Sequence, residues 1–113
     1  MNLSVKSVVG TLCITHDAGQ KVFDQIHPEL SSGREVTIDF DGVSIYASPF
    51  FNAAIGQLLK DLKPDDLNRL LKVANLSDDG MSVVRRVIEN AKNYYDDPNY
   101  RKHLEAALAQ QAG

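Results

Sequence analysis

Val36-Thr37-Ile38-Asp39-Phe40-Asp41-Gly42-Val43 is the stretch on which the reading of the fold turns. Val36, Ile38 and Phe40 alternate with Thr37 and Asp39, the period-two pattern of a strand with one buried face. Asp41-Gly42 closes it, because aspartate and glycine favour a tight turn. A few residues on, Ser48-Pro49 signals a helix start, with serine as N-cap and proline at the first helical position. The helix that follows carries Phe51, Ala54, Ile55, Leu58 and Leu62 on one stripe, and Pro64 limits its length. Strand, turn and helix in that order indicate an α/β protein.

Upstream, Leu3 to Gly10 alternates loosely and predicts a strand, and Leu12 to Ile14 predicts a second short extended piece. Thr15, His16 and Asp17 offer cap chemistry for a helix with Ala18, Val22, Phe23, Ile26 and Leu30 on one face. Pro28 is expected to end or kink that helix near His27, and Ser31-Ser32-Gly33 follows as a loop. Downstream, Pro64-Asp65-Asp66 opens a short helix with acids in its first turn. Leu71 to Leu76 reads as a strand, although a continuing helix would suit the same residues. Ser77-Asp78-Asp79 caps a long helix bearing Met81, Val84, Val87 or Ile88, Ala91 and Tyr94. Asp97-Pro98 starts a final helix, over 98–111, with Tyr100, Leu104, Ala107 and Leu108 on one side. The expectation is one domain over 1–113: a small mixed or parallel sheet with helices packed on it and an additional C-terminal helix.

The 113 residues give room for one domain. A net charge of −3 and a pI near 5.5 argue against general nucleic-acid binding, which needs a basic face for phosphates. Arg85-Arg86 and Arg101-Lys102 fall in helical patterns and read as solvated faces. One cysteine, Cys13, permits no internal disulfide and reads as a small buried hydrophobe between Leu12 and Ile14. No signal-peptide pattern and no apolar run of membrane-span length is present, so a cytoplasmic location without membrane association is expected.

Catalytic patterns are sparse. Asp39 and Asp41 at a strand end are similar to the first motif of haloacid-dehalogenase-type phosphatases, in which one carboxylate attacks phosphorus, the other is acid/base, and both help bind Mg²⁺. The alternative is structural: Asp39 bonded to backbone beside an Asp41-Gly42 turn. Asp78-Asp79 imitates a late acidic pair but stands where a helix needs caps. The same Asp-x-Asp-Gly fails as an EF-hand loop, since no glutamate closes it. His16, His27 and His103 lack metal-ligand spacing, and no Ser–His–acid set is singled out. No cofactor and no metal are expected. Tyr94-Tyr95-Asp96-Asp97-Pro98-Asn99-Tyr100 holds three of the four tyrosines, as a helix corner or a contact surface.

Together, Val36-Thr37-Ile38-Asp39-Phe40-Asp41-Gly42-Val43 and Ala47-Ser48-Pro49-Phe50-Phe51-Asn52-Ala53-Ala54-Ile55-Gly56 resemble the bacterial STAS-like domains of the uncharacterised group DUF4325, relatives of anti-sigma-factor antagonists. The resemblance extends over the helix around Gly19 to Ile26, the Val73-Ala74-Asn75-Leu76-Ser77 strand end and the Asn93–Pro98 corner. It implies a sheet with packed helices, no chemistry of its own, and a protein partner that in many relatives is, or is fused to, a histidine-kinase-like ATP-binding module. Members also occur in phage-defence-type gene clusters, which would suit an oligomeric subunit. In the better-known antagonists a hydroxyl at the start of the helix after the strand is phosphorylated, and helix-end N–H groups stabilise the phosphate. Aligned on Asp39, Ser48 takes the first hydroxyl position and Pro49 the usual acceptor. Proline cannot be phosphorylated, so Ser48 is either the phosphosite or a plain N-cap. The expected docking surface is Ser44, Tyr46, Ser48, Phe50 and Asn52.

Overall fold

A computed structural model describes residues 1–96. β1 (Asn2–Ser4), β3 (Val36–Asp39) and β5 (Leu71–Ala74) form a three-stranded sheet in the order β1-β3-β5. β2 (Leu12–Cys13) and β4 (Ile45–Tyr46) form a separate pair, and all these pairings are parallel. The α/β expectation holds, with the parallel form of the sheet. Leu3, Ile38 and Val73 stand in register across it. Their face is the inner one, where Leu3, Val36 and Ile38 are buried. On the other face Asn2 and Lys72 are exposed and Thr37 is half-buried between them.

Five helices complete the described chain: α1 (Val5–Val9), α2 (His16–Ser31), α3 (Ser48–Ala54), α4 (Pro64–Leu70) and α5 (Asp78–Asp96). A 3-10 turn, Gly56–Lys60, continues α3. Thr15 caps α2 as expected, its Oγ1 accepting from the Ala18 N–H at 3.1 Å. α2 lies closely along α3 because Gly19 has no side chain: a Cβ there would strike the Phe50 carbonyl and come within 2.8 Å of the Ala53 Cβ. α3 also packs against α5. Phe40, Phe50 and Phe51 cluster where strand and helices meet, with ring centroids 5.4–6.3 Å apart in tilted or edge-on pairs.

Four sequence expectations are corrected. The strand expected over Leu3 to Gly10 stops at Ser4, whose Oγ accepts from Ser7 N–H and starts α1. Val5, Val8 and Val9 suit a helix face as well as a strand, and in so short a segment the cap decides. Pro28 does not end α2, which runs on to Ser31. The proline removes one donor near the helix end, while Ile26 and Leu30 on either side are 0% and 1% exposed and hold the helix to the core.

Ser48 is not the N-cap of α3. The Ala47 carbonyl accepts from the Phe50 and Phe51 N–H groups, so Ala47 is the cap, Ser48 is the first helical residue and Pro49 the second. Both positions have N–H groups with no intrahelical partner, so proline is as acceptable at the second as at the first. The helix also stops at Ala54 instead of running to Pro64, and tightens into the 3-10 turn. The final helix expected over 98–111, with Tyr100, Leu104, Ala107 and Leu108 on one side, lies outside the described residues, as does His103.

Candidate functional site

The C-terminal ends of the strands gather the residues singled out in the sequence. β3 leads through Phe40 into a turn closed by Val43 N–H donating to the Phe40 carbonyl at 3.0 Å. Gly42 sits in it at φ +84°, where a side chain would be strained. Asp39 Oδ1 accepts from the Asp41 N–H at 2.9 Å and from Asn75 Nδ2 at 2.8 Å. The Asn75 side chain and then the Asp41 amide hold the Asp39 carboxyl below its ordinary range, against a small opposing effect of burial. The structural reading of this aspartate, bonded to backbone beside the Asp41-Gly42 turn, is the geometry observed.

Asn75 was not singled out as a site residue, and only its φ of +58° marks it. Asparagine tolerates this left-handed conformation better than most residues. Just past β5, it turns the chain and reaches back to Asp39, 36 positions away in sequence. Two residues on, Ser77 caps α5: its Oγ accepts from the Gly80 N–H at 3.1 Å. The same Oγ lies 2.6 Å from the Tyr46 hydroxyl. The tyrosine ring rests edge-on against Phe51, with centroids 5.8 Å apart.

Phe40, Val43, Ser44, Tyr46, Asn75, Leu76 and Ser77 line a cleft of about 350 Å³ at this end of the sheet. Crevices at strand C-termini are where open α/β sheets bind their ligands. Ser44, Ser48 and Asn52 are exposed around it or on the start of α3, and Tyr46 is half-buried. Phe50 is corrected: it is 0% exposed, packed among Phe40 and Phe51, and contributes no surface. Helix periodicity alone could not show this, because α3 is covered on more than the one stripe that its sequence suggested. The Ser48 hydroxyl makes no cap bond.

Beside the cleft lies an apolar patch that the sequence reading passed over. Leu12 and Ile45 are register partners in β2–β4, and each is 52% exposed. Ile14, just past the end of β2, is 40% exposed. Cys13 between them points inward and is fully buried, and burial pushes its thiol up to about 11.

Elsewhere, His27, Asp61 and Ser31 come together, but not as a catalytic relay. Asp61 Oδ2 at 2.9 Å and Ser31 Oγ at 3.3 Å both approach the same nitrogen, Nε2 of His27. A relay needs the acid and the hydroxyl on opposite ring nitrogens. Among the described residues no group of three His, Cys, Asp or Glu is placed to hold a metal ion. No described helix is long and apolar enough to cross a membrane. The family model of the STAS-like domain of unknown function DUF4325 matches residues 18–81, from α2 to the start of α5. No curated protein and no solved structure matches the chain.

Proposed function

The chain belongs to the STAS-like family DUF4325, and from that premise we propose that it is a non-enzymatic regulatory module of the bacterial cytoplasm that docks on a histidine-kinase-like ATP-binding protein. The docking face is the rim formed by Ser44, Tyr46, Ser48 and Asn52, extended by Leu12, Ile14 and Ile45. The observation that carries the proposal is the in-register Leu12–Ile45 pair, two aliphatic side chains each half in water beside an otherwise polar rim. Contiguous exposed apolar surface with a polar border is the usual composition of an interaction patch. At the strand ends, Asp39 is held by Asn75 and Asp41, and Tyr46 is paired with Ser77. These bonds serve to shape the rim.

Ser48 sits at the edge of this face, exposed on the first turn of α3. In this reading the partner kinase phosphorylates it, and the added charge on a desolvating surface releases the complex. The test is a calorimetric titration of the chain into purified histidine-kinase-like ATP-binding proteins of its source organism, with and without ATP, followed by mass spectrometry of Ser48. Binding by wild type, lost in Ile45→Glu and weakened in Ser48→Asp, is expected. Binding indifferent to both substitutions, or no binding to any such protein, would overturn the proposal.

A further inference from the structure

A second surface lies along the outer edge of the sheet, away from the strand ends. Among the described residues β5 pairs only with β3, and none of them pairs with its other side. The Ala74 carbonyl accepts from Phe40 N–H, so the backbone groups of Lys72 and Ala74 face β3. Those of Leu71 and Val73 face outward by the strand's alternation. Leu71 N–H is used by the Leu67 carbonyl at the end of α4. The Leu71 carbonyl and both backbone groups of Val73 therefore form a ladder edge that no described residue pairs with.

Such an edge is a template for another strand, and here it is the floor of a groove of about 440 Å³ between α4 and α5. On the helix side of the sheet the groove is walled by Leu67, Met81, Val84 and Ile88. On the opposite side stands Lys72, exposed, and Arg85 is exposed on α5. Among the described residues these two cations are the only charged ones lining the groove, in a chain whose net charge is −3. We propose that this edge binds an extended segment of a partner protein in which apolar residues alternate with acidic ones. The strand's period of two sends the apolar side chains toward Leu67 and Val84 and the carboxylates toward Lys72, while its backbone pairs with Val73. A second copy of this chain is a poorer occupant, because edge-to-edge pairing would set Lys72 and Arg85 against their own counterparts.

The probe is a labelled heptapeptide of alternating valine and glutamate added to the full chain, beside a valine–lysine version and a version N-methylated on its pairing amides. Saturable binding of the glutamate peptide alone is expected, with slowed hydrogen exchange at the Val73 amide. Arg85→Glu and Lys72→Glu, both at exposed sites, should each weaken it about fivefold, the scale of an exposed ion pair turned repulsive. Four results would each overturn the proposal: no binding; equal binding of the N-methylated or lysine peptide; a Val73 amide already protected until the chain is cut after Asp97; or dimerisation that buries the same edge. Ile45→Glu should leave this binding unchanged, which separates its failure from that of the docking face at the strand ends.

Discussion

Asn75 donates through Nδ2 to Asp39 Oδ1 over 2.8 Å, tying together the ends of β3 and β5 at the mouth of the cleft. Asp39 and Ala74 are register partners, so the bond spans one strand spacing just past the last rung of the ladder. A carboxylate that accepts two N–H bonds is favoured in its charged form.

That bond sets a pH dependence. The Asp39 carboxyl titrates below its ordinary range in the folded chain, with the Asn75 side chain the larger cause. Its contribution to stability is therefore complete above the unfolded value of about 3.9 and is lost as pH falls through the lower folded value. Asn75→Ala should move the Asp39 titration upward in a carbon-detected NMR experiment. In urea unfolding it should destabilise at neutral pH and less so in strong acid. An Asp39 titration that does not move would mean that the Asp41 amide alone holds the carboxylate.

Gly19→Ala should destabilise. Alanine is the better helix former by about 1 kcal/mol, but its methyl group would meet the Phe50 carbonyl and the Ala53 Cβ, and the carbonyl belongs to fixed backbone. Overpacking of this kind costs about 1–3 kcal/mol, and two close contacts place it toward the upper end. Urea midpoints of the variant and wild type measure the difference. A stabilised variant would show that α2 and α3 can separate at no cost.

Of the two serines that the sequence suggests as helix caps, only Ser77 is one. Ser77→Ala should cost about 1 kcal/mol, because Ser77 is the α5 cap and also pairs with Tyr46. Ser48→Ala should change stability by less than about 0.5 kcal/mol, since Ala47 is the α3 cap and the Ser48 hydroxyl makes no cap bond. Parallel denaturation curves give the ranking, and the reverse order would return the cap to Ser48.

Cys13 should be a reporter of unfolding. Its thiol is fully buried and, at about 11, almost wholly protonated at neutral pH. A thiol reagent at neutral pH should leave the native chain unlabelled and label it completely in urea, with native labelling paced by opening of the fold. Fast labelling without denaturant would reveal local opening of β2.

Asp39→Asn bears on the phosphohydrolase alternative. With Mg²⁺ and a chromogenic phosphate ester, wild type and variant should show the same background, and calorimetry should find no stoichiometric magnesium site. Turnover abolished by Asp39→Asn would establish the chemistry that the Asp39-Asp41 motif suggests.

Local pattern made much of this fold legible. Val36, Ile38 and Phe40 alternate because a strand buries every second residue, and all three are buried. Thr15 and Ser77 announce α2 and α5 because each offers a side-chain oxygen to an N–H three residues on, an arrangement visible in the sequence itself. Tertiary structure decided the rest. Phe50 reads as surface in the sequence, but its ring is buried against Phe40 and Phe51. Val5–Val9 carried two periodicities at once, and burial of Val5 beside the Ser4 cap selected the helix. Nothing near Asp39 in the chain names Asn75 as its partner, nor does anything near Tyr46 name Ser77. Those contacts join residues more than 30 positions apart, and they exist only because parallel pairing brings the ends of distant strands together.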